Sequence, residues 1–122
     1  MSLRSALMAA VLVINLPLPA LAHDIYSHLR DEEGASCCDD QDCRPAFYRF
    51  ISGDLQMFVD GQWVDVPSER IQYRGLPGDT GETAGGHWCG SFYQPDVSSR
   101  SILHMTKCAI LPPQAASAQD RP

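Results

Sequence analysis

The sequence predicts a small, mainly-β domain of antiparallel hairpins, stapled by disulfides and carrying one short N-terminal helix. Three observations carry this. Short runs rich in β-branched and aromatic residues alternate with turn residues, and an Asp-Gly pair separates two of those runs. Five cysteines stand in only 122 residues. That length limits the chain to a single domain. A hydrophobic content of 44% is too high for a solvated, disordered chain. The net charge of −6 argues against a nucleic-acid partner, whose phosphates require clustered Lys and Arg.

Residues 1–22 read as a secretory signal peptide. Arg4 supplies the positive end, residues 6–16 form an apolar run, and Pro17 and Pro19 break it before the small-residue site Ala20-Leu21-Ala22. The run is too short to span a bilayer, which needs about 20 apolar residues, so no stable membrane span is expected after cleavage. Cleavage leaves His23 first in a single domain over 23–113, followed by a polar, alanine-rich tail at 114–122 that is expected to be disordered. Export to the periplasm or the exterior makes disulfides the default use of the cysteines.

Along the domain, Asp24 can cap a helix over residues 25–33, with Ile25 and Leu29 one turn apart and Gly34 as the stop. Residues 36–45 are polar and close on Pro45, which predicts a loop. Residues 47–51 predict a strand ended by Ser52-Gly53-Asp54. Residues 55–59 and 62–66 then flank Asp60-Gly61, the signature of a two-residue type I′ hairpin. That register places Phe58 opposite Trp63 and Gln56 opposite Asp65, and puts Leu55, Met57 and Val59 on one face with Val66, Val64 and Gln62. One turn is expected at Pro67-Ser68-Glu69-Arg70, a brief strand at Ile71 and Tyr73, and a mobile glycine-rich loop over 75–86. Strands over 87–93 and 100–111 close the domain.

Cys37 and Cys38 are adjacent, so their Cα atoms lie ~3.8 Å apart, below the ~4.4–6.8 Å that a disulfide usually spans. They go to different partners, with Cys43, Cys89 and Cys108 as candidates; the expectation is that each ties the N-terminal segment to the sheet. One cysteine is left over. It is a buried inert thiol, half of a bridge to a second chain, or a reactive or metal-binding thiolate. No Cys-x-x-Cys pair is present, which weighs against a zinc ribbon and a thioredoxin-like site.

The candidate metal ligands are His23, His28, His87 and His104, with copper as the candidate ion. After cleavage the α-amine and imidazole of His23 form a nitrogen pair that suits Cu(II). His87 and Cys89 share one face of a strand, and His104 and Cys108, four apart, share one face of the next. Pairing of those strands would converge imidazoles and sulfurs. Against this, His28 also fits a surface helix position, and His87 and His104 ordinary hydrogen-bonded strand positions. Asp39, Asp40 and Asp42 lack the glycine and distant glutamate of a calcium loop. The glycine-rich stretch lacks the Lys-Ser/Thr ending of a phosphate loop, and no nucleophile elbow or paired catalytic carboxylate stands out.

His23-Asp24-Ile25-Tyr26, the Cys37-Cys38-x4-Cys43 spacing, Gly61-Gln62-Trp63-Val64, His87-Trp88-Cys89, and Cys108 before Pro112-Pro113 form a pattern over 23–113. It resembles that of uncharacterised small exported alphaproteobacterial proteins. The resemblance implies export and a disulfide-rich domain and carries over nothing else. With no catalytic constellation, the expected function is an interaction or envelope-support module for a protein or envelope partner, not an enzyme. The alternative is a periplasmic copper-binding protein using His23.

Overall fold

The computed structural model describes residues 25–38, 42–94 and 102–119. Residues 1–22, expected to be a signal peptide, and His23 lie outside the described residues. The domain is mainly β, as predicted: β1 (Asp42–Pro45), β2 (Tyr48–Ile51), β3 (Asp54–Val59), β4 (Gln62–Asp65), β5 (Ile71–Tyr73), β6 (His87–Tyr93) and β7 (Leu103–Leu111). They form a three-stranded sheet, β2-β3-β4, and a four-stranded sheet, β1-β6-β7-β5.

The three-stranded sheet is a meander of two tight hairpins. Gln56 pairs with Asp65, Met57 with Val64, Phe58 with Trp63 and Val59 with Gln62, the register expected from the Asp-Gly turn. Asp60 and Gly61 both have positive φ (52° and 78°), as a type I′ turn requires. Ser52 and Gly53 repeat the device between β2 and β3, with φ of 50° and 86°. Leu55, Met57, Val59, Val64 and Val66 are buried on the inner face.

Two cores lie on the two faces of the four-stranded sheet. Trp88, Ala109 and Leu111 pack against the inner face of the meander. Cys89, Cys108 and Ile110 face the other way and are covered by Tyr26, Leu29, Cys37 and Leu76. The N-terminal segment is therefore a third layer. Disulfides Cys37–Cys108 and Cys43–Cys89 fasten that layer and β1 to the sheet.

The structure departs from the sequence expectations at five places. Residues 25–33 form turns instead of a helix. The Asp31 carboxylate accepts the backbone N–H groups of Glu33 and Ala35, and Arg30 bridges to Ser36. A two-turn helix has little stability of its own to resist such side-chain competition. The segment read as a loop yields β1, because its pairing with β6 and the Cys43–Cys89 bridge supply what its polar sequence lacks. Not every pair is antiparallel: β5 runs parallel to β7. The chain beyond Pro112 continues as a 3-10 turn (Pro113–Ala115) and a helical turn, α1 (Ala116–Gln119). Ala115 is buried in the core and the Tyr73 hydroxyl donates to Gln119, so residues 113–119 pack on the domain. Finally, of the adjacent pair only Cys37 is bonded to a sheet cysteine; Cys38 packs against the second core and lies in neither disulfide.

Candidate functional site

A hydrogen-bonded chain, Tyr26–His87–Asp79, joins the three segments that meet on the covered face of the four-stranded sheet. His87 opens β6 with 1% of its surface exposed, and Tyr26 from the N-terminal layer has 4%. The Tyr26 hydroxyl lies 2.9 Å from His87 Nδ1, and His87 Nε2 lies 3.0 Å from Asp79 Oδ1. A carboxylate only accepts, so the Nε2–H donates to Asp79. In the neutral imidazole Nδ1 then accepts the proton of Tyr26. Burial, followed by the negative charges of Asp79 and Glu82, pushes the Tyr26 pKa up to about 12. The phenol is therefore a held proton donor and not a nucleophile.

Asp79 is placed by its loop. Leu76 is buried, Asp79 N–H donates to Leu76 O, and Gly81 N–H donates to Asp79 Oδ1. Gly78 has φ of +90°, and a Cβ there would come within 2.5 Å of Ile25. Only glycine lets the loop pass that closely under the N-terminal layer. Ile25, Tyr26, Pro45, Gly78, Thr80 and Glu82 line a cavity of about 430 Å³ beside the chain.

A second polar assembly ties the two sheets together at their other end. His104 Nε2 is 2.9 Å from Asp60 Oδ2, His104 Nδ1 is 3.0 Å from Gln62 Nε2, and Arg44 reaches Asp60 Oδ1 at 2.7 Å. The His104 hydrogen bond, then that of Arg44, holds the Asp60 carboxyl below its usual range. Arg44 also lies over the Trp88 ring, whose Nε1–H donates to Thr106. All these groups are satisfied within the protein, which makes this a fastening and not an open site.

The outer face of the meander is different. Phe47, one residue before β2, bonds through its carbonyl to Phe58 of β3, which pairs with Trp63 of β4; the three form one row, exposed by 56%, 40% and 37%. Phe58 meets the Trp63 ring edge-to-face at 5.1 Å, and the Arg49 guanidinium lies over that ring at 4.1 Å. Beside the row runs a polar ladder in which Arg49 donates to Gln56 and Gln56 to Asp65.

The three candidate histidines among the described residues are not gathered. His23 is outside the described residues, and His28 is exposed. His87 and His104 have both ring nitrogens engaged as above, and they lie on opposite faces of the β6–β7 pair. The face expected to hold both His104 and Cys108 is broken by a bulge. Cys89 pairs with Cys108 but Gly90 pairs with Thr106, so Lys107 is one residue extra. One inserted residue inverts the facing of all that precede it in β7 and turns His104 toward Trp88. Cys43, Cys89, Cys37 and Cys108 are consumed in bridges. Among the described residues no group of three or more His, Cys, Asp or Glu is arranged to hold a metal ion. Tyr26 and Asp79 were invisible to sequence reasoning. Tyr26 stands 61 residues from His87, and Asp79, though only 8 residues away, sits in a stretch whose glycines read only as mobility.

Searches against protein families, curated proteins and solved structures find no match to this chain.

Proposed function

We propose that this chain is an exported, disulfide-stapled interaction module without catalytic activity, which docks a protein partner of the cell envelope or exterior. The observation that carries this reading is the row Phe47–Phe58–Trp63 with Arg49 stacked on it. Large aromatics and arginine dominate the energetic centres of protein interfaces, whereas a sheet face with no partner is normally polar. In the neighbouring Arg49–Gln56–Asp65 ladder each side chain is hydrogen-bonded to the next, so covering it leaves few polar groups without a partner. Two disulfides fit a non-cytoplasmic setting. Among the described residues no helix is long and apolar enough to cross a membrane.

The test places a photo-crosslinking residue at Phe47 and, as a control, at Glu69 in the exported chain. The expected result is one discrete protein adduct from position 47 and none from 69. That protein, once purified, binds the wild type and loses at least tenfold in affinity with Trp63→Ala, whose melting temperature stays near wild type. Identical adducts from both positions, or equal affinity of Trp63→Ala, would overturn the reading.

A further inference from the structure

We propose that the cavity between the N-terminal layer and the loop carrying Asp79 binds a primary ammonium group on a short apolar stem. This goes beyond the docking face, which lies on the other sheet. The cavity, about 430 Å³, is of the size that takes a small ligand or one side chain. Its walls divide into two chemistries. Ile25, Pro45 and disulfide-bonded Cys43 offer apolar surface for a stem. Asp79, Glu82 and the Thr80 hydroxyl stand together and can accept the three N–H bonds of an ammonium head.

The charge balance selects the sign of the ligand. Arg44 also borders the cavity, but its guanidinium is committed to Asp60 and Asp42 and lies over Trp88. His87 Nε2–H and Gly81 N–H both donate to Asp79 Oδ1, so the carboxylate keeps acceptor capacity on Oδ2 for a ligand. Glu82 is exposed and forms no ion pair among the described residues. Burial first, and then the negative charges of Asp79 and Glu82 with a smaller contribution from Cys38, hold the Tyr26 phenol protonated, so the field beside the cavity is negative. An anion would meet two carboxylates, and a neutral alcohol would leave that field without a counter-charge. Buried Tyr26 and His87, hydrogen-bonded in series to Asp79, keep the floor in place, so little is lost in ordering it on binding.

The experiment is an NMR titration of the oxidised, exported protein with three probes of equal size: n-butylammonium, 1-butanol and butyrate. The expected result is saturable shifts at Ile25, Tyr26, Gly78, Thr80 and Glu82 with butylammonium. Its affinity should exceed that of butanol at least tenfold, with no saturation by butyrate. Glu82→Gln should weaken butylammonium at least fivefold while the melting temperature holds. A fourth probe, Nα-acetyl-lysine N-methylamide, separates the sources of this chemistry: tighter binding than butylammonium assigns the site to a protein lysine, weaker binding to a free amine. Equal binding of butanol and butylammonium, unsaturable shifts, or full affinity in Glu82→Gln would each overturn the proposal. Loss of the docking face in Trp63→Ala leaves this titration unchanged, so the two readings fail separately.

Discussion

Cys89 and Cys108 stand directly opposite each other on β6 and β7, yet neither bonds to the other. Each sulfur reaches outward instead, Cys89 to Cys43 on the edge strand and Cys108 to Cys37 in the N-terminal layer. The two central strands thus become an anchor for both peripheral segments. Segments that form no helix of their own and carry a polar strand sequence are held there by the covalent links.

Removing either bridge should therefore cost more than a surface contact would. The bridges span 71 and 46 residues, and chain-entropy arguments for loops of that size give about 4 kcal/mol each. Cys37→Ala/Cys108→Ala and Cys43→Ala/Cys89→Ala should each lower the denaturant midpoint accordingly. Alkylation of the unreduced, denatured protein with intact-mass analysis should add one label, at Cys38.

Tyr26 makes stability sensitive to alkali. Its pKa of about 12 in the folded state lies above the ordinary value near 10, so the unfolded chain loses this proton first. The contribution is fully present below about 10 and is lost as pH rises toward 12. Tyr26→Phe should flatten that decline, while absorbance titration of the wild type shows one of its four tyrosines ionising last. A parallel decline in both proteins would contradict the assignment.

The Asp60 carboxyl gives the opposite signature. Its pKa is depressed by the His104 and Arg44 hydrogen bonds, so its contribution is present above the usual carboxylate range and fades as pH falls through the depressed value. Unfolding of wild type and Asp60→Asn should differ most at neutral pH, with the gap closing in acid.

Two glycines separate backbone strain from steric exclusion. Gly61 has φ of +78° and open space around it, so Gly61→Ala should cost about 1 kcal/mol through conformation alone. At Gly90 an added Cβ would lie 2.3 Å from Met105 O and 2.5 Å from the Trp88 ring. Gly90→Ala should exceed Gly61→Ala by about 1–2 kcal/mol in urea unfolding, because buried backbone and a packed indole cannot give way.

What the sequence determined by itself was local. The Asp60-Gly61 turn imposes positive φ at two successive residues, which sets the pairing of Phe58 with Trp63 and so the aromatic row. The adjacency of Cys37 and Cys38 forbids a bridge between them and requires separate fates. The remainder depended on packing between distant segments. One extra residue at Lys107 turned His104 away from the face of Cys108, and no spacing rule signals a bulge. Asp31 unmade the expected helix by capturing its own backbone. Tyr26, Asp79 and His87 meet only because a disulfide, a close passage at Gly78 and a buried strand start converge on one side of a sheet. Contacts of that range carry no signature in the local pattern of residues, because burial and partner are properties of the assembled layers.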